Sequence, residues 1–275
     1  MANVLLAQGI VPGIKVDKGV KPVLSGNALE TVTQGMDDLD VRCKDYYAKG
    51  ARFAKWRGVL HISDDTGLTP SRLAMEENAN TLARYAQICQ ANGLVPIVEP
   101  EVLMDGSFSI EHSAKCTEKV LSYVFRALQE HNVLLEGCIL KPNMVRSGVD
   151  FVPKAKPNEI AKHTVQTLRN TAPPSLGGVT FLSGGMSELE ASESLNLINN
   201  ESGGKNPWTL TFSYGRALQE SVLNAWKGKD ENRGAAQKML LHRAECNGMA
   251  SLGEYKGEEN VGVAGKSMHE KGYVY

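Results

Sequence analysis

The chain has 275 residues, of which 42% are hydrophobic and 22% are charged, as is ordinary for a soluble globular protein. A formal net charge of -1 offers no broad positive surface, so we expect neither nucleic acid nor a membrane as a partner. The five cysteines stand singly without a CxxC pair, which favours buried thiols in a reducing compartment. Because the first residues lack the basic region of a secretory signal and no stretch approaches about 20 apolar residues, we expect a cytoplasmic protein.

Short apolar runs rich in β-branched residues alternate with helical patterns along the chain. Six runs are predicted to form strands: 10–16, 51–62, 94–100, 137–142, 177–185 and 207–215. Helical spacing predicts helices over 73–90 and 114–131, the second with Ser113 as its cap, and over 217–226 and 231–246 after the last strand. A glycine-rich tail from about 257 to 275 is expected to be flexible.

This alternation predicts an α/β fold with a parallel sheet, in which helices connect successive strands. The strands are continuously apolar rather than alternating, which indicates burial on both faces. The matching architecture is a TIM (β/α)8-type barrel, although only six of its eight strand–helix units can be counted. Since no Pro/Ser-rich linker divides the chain, we expect one domain over residues 1–275.

Polar residues gather where the predicted strands end, which is where a barrel of this type places its site. The groups, in chain order, are Lys15, then Lys55 with Arg57, then Glu99 with Glu101, then Lys141, then Ser183-Gly184-Gly185, and last Ser213-Tyr214-Gly215-Arg216. Each group alone has an ordinary explanation as a solvated lysine, a structural counter-ion or a tight turn. Their coincidence on all six strands predicts a functional site.

Three lysines at the same end of the predicted barrel favour amine chemistry or anion binding. Crowded cations in a partly desolvated site favour a neutral, nucleophilic amine, and Glu99 is placed to move protons for it. We expect Ser183, Gly184 and Gly185 to open a helix whose backbone N–H groups bind a phosphate. Gly215 and Arg216 offer a second backbone approach and a guanidinium.

Other chemistries lack their motifs. The six histidines form no HxH or HExxH arrangement, so we expect no metal at the site and no cofactor. No GxSxG elbow supports a catalytic serine triad. The GVAGKS segment (262–267) has the wrong glycine spacing for a nucleotide-binding P-loop and follows no predicted strand.

Six motifs together resemble class I fructose-bisphosphate aldolase, the metal-independent family that acts through a Schiff base. They are GIKVDKG (13–19), FAKWR (53–57), PIVEPE (96–101), LEGCILKPNM (135–144), FLSGG (181–185) and FSYGRALQ (212–219), and the chain ends in Tyr275. The resemblance covers nearly the whole chain in the family's order. It implies reversible cleavage of fructose 1,6-bisphosphate into dihydroxyacetone phosphate and glyceraldehyde 3-phosphate.

The resemblance also implies roles for individual residues. Lys141 would form the Schiff base, Lys55 would be its cationic neighbour, and Glu99 would transfer protons. Tyr275 would help to protonate the enamine carbon. The substrate's two phosphates and the lysines would be held by the remaining motif residues: Ser183, Gly184, Gly185, Gly215 and Arg216 for the ketone-side phosphate, Lys15 and Arg57 for the other, and Glu101 in support of the lysines.

The front of the chain departs from the family pattern. The family has two further strand–helix units with an LAADES-like motif, and nothing in 1–11 matches it. Six strands would leave open sheet edges, and we expect the chain alone to be a poor catalyst. The partner is expected to be a phosphorylated sugar, and the resemblance implies a homotetramer. An alternative is a catalytically impaired fragment that only binds sugar phosphates or associates with other subunits.

Overall fold

The structure is a computed structural model that describes residues 2–23, 29–62, 70–258 and 262–271. Within those residues, no helix combines the length and the apolar character that crossing a lipid bilayer requires. One continuous hydrophobic cluster runs between the main sheet and its helices. The single-domain organisation remains a prediction.

In the part of the chain that the structure describes, eight strands form two sheets. Their bounds are β1 Gly13–Lys15, β2 Val20–Pro22, β3 Thr31–Thr33, β4 Phe53–Leu60, β5 Val95–Val102, β6 Ile139–Leu140, β7 Gly178–Phe181 and β8 Leu210–Phe212. The main sheet has the order β1-β4-β5-β6-β7-β8 and every neighbouring pair is parallel. The predicted α/β fold with six parallel strands is therefore confirmed, and its strand order is that of a TIM-type barrel. Among the described residues, β1 and β8 are the two edges of this sheet.

The described ranges also contain eight α-helices. Their bounds are α1 Ala2–Ala7, α2 Leu39–Ala48, α3 Arg72–Ala91, α4 Ile110–Glu130, α5 Pro157–Thr171, α6 Glu188–Asn200, α7 Arg216–Trp226 and α8 Arg233–Ser251. The predicted cap of α4 was wrong. Ser109, not Ser113, accepts the hydrogen bond from the backbone N–H of His112, and Ser113 is buried one turn into the helix. A helix begins where a side chain satisfies its first N–H groups, and Ser109 has the extended backbone that this requires.

A small antiparallel hairpin, β2 with β3, was missed because its strands are only three residues long. It packs beside the main sheet, where the Thr33 hydroxyl donates to the backbone carbonyl of Arg57 at 2.5 Å. Glu30, directly before β3, accepts from both the backbone N–H and the hydroxyl of Ser71, the cap of α3. The hairpin therefore ties β4 to the start of α3.

The fourth strand of the main sheet is much shorter than the predicted run 137–142. A 3-10 turn occupies Leu135–Gly137, and β6 pairs only through Ile139 and Leu140. Hydrogen bonding nevertheless continues past the strand, because the N–H of Lys141 donates to Val98 and the carbonyl of Pro142 accepts from Leu182. Proline lacks an N–H but keeps its carbonyl, so Lys141 stays fixed between β5 and β7.

Candidate active site

The parallel register places the polar strand ends at matching heights. Lys15 on β1 is the Cα partner of Lys55 on β4, and Arg57 is the partner of Glu99 on β5. Ile97 pairs with Ile139, and side chains alternate along a strand with a period of two. Lys141, two residues after Ile139, is therefore level with Glu99.

Glu99 lies between two lysines. Its Oε1 is 3.0 Å from Nζ of Lys141, and its Oε2 is 2.6 Å from Nζ of Lys55. Glu99 is only 2% exposed and Lys141 only 9%. A buried carboxylate with one oxygen on each amine can exchange a proton with Lys141 while Lys55 stabilises its charge.

Asp17 is a further buried acid, to which the sequence analysis gave no role. Its Oδ1 lies 2.6 Å from Nζ of Lys15, and its Oδ2 lies 4.0 Å from Nζ of Lys55. Oδ2 also accepts from the backbone N–H of Arg57 at 3.3 Å. The available signal was its place in GIKVDKG, two residues after Lys15 and thus level with Arg57. We name Asp17, Lys55, Glu99 and Lys141 together the strand-end cluster.

Arg57 and Glu101 form a second ion pair above this cluster. Nε of Arg57 donates to Oε2 of Glu101 at 2.5 Å, and the arginine is almost fully buried. The pair holds the guanidinium in one orientation, which suits recognition of an anionic group.

A cavity of about 270 Å³ opens at these strand ends. Eight of the predicted site residues line it: Arg57, Glu99, Glu101, Lys141, Ser183, Gly184, Gly215 and Arg216. Leu182, Ser213 and Gln219, to which we had assigned no role, line it as well. Three further predicted site residues do not line the cavity: Lys15 and Lys55, which contact Asp17 and Glu99 respectively, and Gly185. Tyr275 lies outside the described residues, so its position stays a prediction.

Ser183, Gly184 and Gly185 form a turn after β7, with φ of 55° at Gly184 and 80° at Gly185. That left-handed backbone favours glycine, because a Cβ would strain it. The expectation that this triplet opens a helix was wrong: α6 begins at Glu188, and Ser187 caps it by accepting from the N–H of Glu190. Two glycines with positive φ cannot continue into a helix, so Ser183 and Gly184 line the cavity as part of a turn, while the carbonyl of Gly185 accepts from the N–H of Met268.

The second candidate phosphate-binding element is the start of α7. Gly215 occupies the cap position and Arg216 is the first helical residue. Part of the predicted tail lies close by: the N–H of Met268 donates to Gly185, Arg216 donates to the carbonyl of Met268, and Nη1 of Arg216 is 3.8 Å from Glu270. The flexibility of the tail remains a prediction, but these contacts place residues 268–270 beside the turn and the guanidinium.

Two other reactive groups near the site are held inactive by burial. Burial raises the pKa of the Cys138 thiol, three residues before Lys141, to about 12. It also raises the pKa of Tyr214, whose hydroxyl donates to the carbonyl of Ala191. Neither group ionises near neutral pH, so Lys141 is the better candidate nucleophile.

The charges named at this site are unbalanced in favour of cations. The five cations are Lys15, Lys55, Arg57, Lys141 and Arg216, and the four carboxylates are Asp17, Glu99, Glu101 and Glu270. Such an excess favours a substrate with negative charge at its ends.

Comparisons with known proteins found matches over nearly the whole chain. The family described as "Glycolytic: Fructose-bisphosphate aldolase class-I" matches residues 1–275. A fructose-bisphosphate aldolase of Dictyostelium discoideum is 57% identical over 273 residues, which are 99% of this chain and 75% of the relative. A cytosolic aldolase of Arabidopsis thaliana is 56% identical over 99% of this chain and 68% of its own length. The solved structure of the Plasmodium falciparum aldolase, in complex with TRAP and a small-molecule inhibitor, has a TM-score of 0.90 and 57% identity, covering 93% of this chain and 73% of its own.

Proposed function

The chain belongs to the class-I fructose-bisphosphate aldolase family, and we propose that Lys141 is the Schiff-base lysine through which it acts. Members of this family are lyases of glycolysis, and their substrates are phosphorylated sugars. The observation that carries the proposal is the 3.0 Å contact between Nζ of Lys141 and the buried Glu99, which Lys55 supports at 2.6 Å.

Imine formation requires the lysine to lose protons and the ketone oxygen to gain them. Glu99 accepts a proton from the Lys141 ammonium, and the neutral amine then adds to the ketone carbon. A second proton moves from the attacking nitrogen to the former ketone oxygen, which gives the neutral carbinolamine. Glu99 returns the proton to the carbinolamine hydroxyl, which leaves as water and gives a protonated imine. Lys55, whose Nζ is 2.6 Å from Oε2 of Glu99, holds the carboxyl group in position for both transfers.

The protonated imine then acts as an electron sink. A base removes the proton from the hydroxyl on the second carbon from the imine carbon. The bond between that second carbon and the first one then breaks, which leaves an aldehyde. The electrons of the broken bond form the C=C bond of an enamine, and the π electrons of the imine move to its nitrogen. Glu99 is the buried carboxylate nearest to that nitrogen, so we assign the proton to it. Reprotonation of the enamine carbon and hydrolysis release the second triose phosphate, a step that the resemblance associates with Tyr275.

The cations around the cavity hold the two ends of the substrate. We assign the ketone-side phosphate to residues that follow β7 and β8, on one side of Lys141 in strand order. They are Ser183, Gly184, Gly185, Gly215 and Arg216. Lys15 and Arg57, on β1 and β4, lie on the other side and are assigned to the distal phosphate, with Glu101 orienting Arg57. Fixing both phosphates positions the reacting carbons over Lys141.

The names of two relatives favour a cytoplasmic location. The aldolases from Arabidopsis thaliana and Pisum sativum are described as cytosolic and cytoplasmic, which supports the cytoplasm for this chain. A homotetramer, implied by the resemblance, is the assembly that we propose to test by light scattering.

Cleavage of fructose 1,6-bisphosphate by the Lys141→Met variant tests the proposal. We expect turnover to fall by at least about 10⁴-fold, because no other amine replaces the nucleophile. Lys162→Met, which removes an exposed lysine from α5, is the matched control and should keep its activity. A chelator should leave the wild-type rate unchanged, since no step uses a metal. Activity that survives Lys141→Met would refute the assignment, and if the wild type were inactive, the family reaction itself would be absent from this chain.

A further inference from the structure

Two cysteines outside the cavity lie in contact on neighbouring helices. Sγ of Cys43, on α2, is 4.0 Å from Sγ of Cys89, on α3, although the two residues are 46 positions apart in the chain. Both side chains are fully buried, and neither belongs to the strand-end cluster. The fold therefore brings together two thiols whose spacing in the sequence gives no sign of a pair.

A small motion brings the two sulfur atoms to bonding distance. The S–S bond of a disulfide is about 2.05 Å long, so each sulfur has to move by about 1 Å. Rotation of the two side chains about their Cα–Cβ bonds changes the separation without displacing a strand. The helices themselves are held side by side, because Nδ2 of Asn92, directly after α3, donates to Oδ1 of Asp40 on α2 at 2.9 Å.

The two thiols differ in how readily they ionise. The hydrogen bond from the Cys89 thiol, helped by the positive charge of Arg42, lowers the pKa of Cys43 despite the burial of its side chain. The same contact and burial raise the pKa of Cys89. Cys43 is therefore the thiol that more readily becomes a thiolate, which is the form that reacts with an oxidant. Cys89 keeps its proton and lies next to it as a resolving thiol.

The way in which α2 is anchored gives a small oxidant a route to Cys43. Of the ten residues of α2, Leu39 and Cys43 are the two that are buried. Asp38, the residue at its N-cap, makes no side-chain hydrogen bond to the helix. A short helix held by few buried side chains opens locally at a modest free energy, and such an opening exposes Cys43.

We propose that Cys43 and Cys89 are a modification site at which hydrogen peroxide forms an intramolecular disulfide. The Cys43 thiolate attacks one oxygen of the peroxide, the O–O bond breaks, and the hydroxide that leaves takes a proton from solvent. The sulfur of Cys89 then attacks the sulfenic acid on Cys43, so that an S–S bond forms and the S–O bond breaks. The hydroxyl leaves with the Cys89 proton as water. The two thiols together lose two electrons, which reduce one peroxide to two molecules of water.

The disulfide would fix α2 beside the first strand of the main sheet. Nη1 of Arg42, next to Cys43, donates to the carbonyl of Val16 at 2.9 Å, directly before Asp17. The loop that the disulfide closes contains all of β4. Because closing this loop restricts the unfolded chain, we expect oxidation to raise the thermal midpoint by about 5 °C or more.

Peptide mapping after peroxide treatment tests the proposal. The purified full chain is reduced, freed of reductant and treated with hydrogen peroxide. Its remaining thiols are alkylated, and it is digested without reduction. Mass spectrometry should identify two peptides joined through Cys43 and Cys89, lighter than their sum by two hydrogen atoms. Dithiothreitol should separate them and return the thermal midpoint to that of the untreated chain.

Three variants separate the roles of the two thiols. Cys89→Ser should stop at the sulfenic acid, which dimedone traps on Cys43. Cys43→Ser should leave Cys89 unmodified at a peroxide concentration that crosslinks the wild type, because the Cys89 thiol stays protonated. Cys116→Ser, at another buried free cysteine, is the matched control and should form the disulfide as the wild type does. The proposal is overturned if peroxide leaves both thiols of the folded wild-type chain free, joins a different pair of cysteines, or oxidises Cys43 without a crosslink.

Discussion

The strand-end cluster can be compared with a second group of polar side chains at the end of α8, formed by His242, Arg243, Cys246 and Glu258, which we call the C-terminal cluster. Both clusters hold a carboxylate among charged or polar partners, in two different settings. Each places a poorly exposed carboxylate between cationic or polar partners: Glu99 between Lys55 and Lys141, and Glu258 between His242 and Arg243. The first is assembled from residues on β4, β5 and the loop after β6, with Asp17 just after β1. The second comes from one helix and the segment that follows it. This difference in how the two carboxylates are held explains why Glu99 is suited to proton transfer and Glu258 to stabilising the fold.

Parallel strands fix the heights of the residues at their ends, because their register is set by backbone hydrogen bonds. Glu99 therefore meets the amine of Lys141 in a cavity, where a proton transfer can be used. Glu258 is held by side-chain contacts alone, and it connects two pieces of chain without facing the cavity. We therefore expect substitutions in the first cluster to change turnover and substitutions in the second to change stability.

Of the three substitutions that compare the clusters, Glu99→Gln should have the largest effect, and this effect should be on turnover. The substitution keeps the shape of the side chain and removes proton transfer, so kcat should fall by about 10³-fold, or ~4 kcal/mol in barrier, while KM changes little. Steady-state cleavage kinetics measure both constants. A variant with normal kcat would remove the functional distinction between the two clusters.

Glu258→Gln should show the opposite pattern. It leaves the buried charge of Arg243 without its anion, which should lower the free energy of unfolding by about 3 kcal/mol while kcat stays within about tenfold. Denaturant titration of variant and wild type at neutral pH gives the difference. Unchanged stability would show that the C-terminal cluster contributes nothing to the fold.

The same comparison has a predicted pH dependence. Burial alone would raise the pKa of Glu258, but hydrogen bonds from Arg243, His242 and Tyr255 outweigh it and hold that pKa below its ordinary value. A lowered folded-state pKa adds stability above the unfolded-state pKa of about 4.3, and this stability is lost as the pH falls through the folded value. The gap between wild type and Glu258→Gln should therefore be complete at pH 7 and should narrow below about pH 4. A gap that widened in acid would contradict this sign.

Arg216→Ala should have the smallest effect of these substitutions. Loss of a charge-assisted hydrogen bond to the phosphate should cost about 1.5–3 kcal/mol of substrate binding and appear mainly in KM. Arg233→Ala, at an exposed arginine at the start of α8, is the control. If Arg216→Ala lowered kcat as Glu99→Gln does, the two side chains would not have the separate roles assigned to them.

The sequence could show which strands end in polar residues because that feature is local, while the roles of these residues stay predictions. Each of Lys15, Glu99 and Lys141 closes an apolar run, and parallel strands bring such ends to one edge. Asp17 was missed because it stands two residues after β1, where no periodic pattern continues. Ser109 was missed as the α4 cap because apolar spacing marks a helix face more clearly than its first residue.

The C-terminal cluster was not predicted because spacing alone does not identify it. His242 and Cys246 four apart on a helix are common without any function, and the metal motifs that we considered require different patterns. Glu258 joins them only because the chain reverses after Ser251, near Gly253 with its φ of 74°. A reversal of this kind depends on tertiary packing, and periodicity does not reveal it.

Reductive trapping of the imine tests the central assignment most directly. The chain is incubated with dihydroxyacetone phosphate and borohydride, digested, and the modified peptide is identified by mass spectrometry. The account predicts one stable adduct on Lys141, formed much more slowly in Glu99→Gln because carbinolamine dehydration loses its acid. An adduct on Lys55 or Lys15 instead of Lys141 would contradict it.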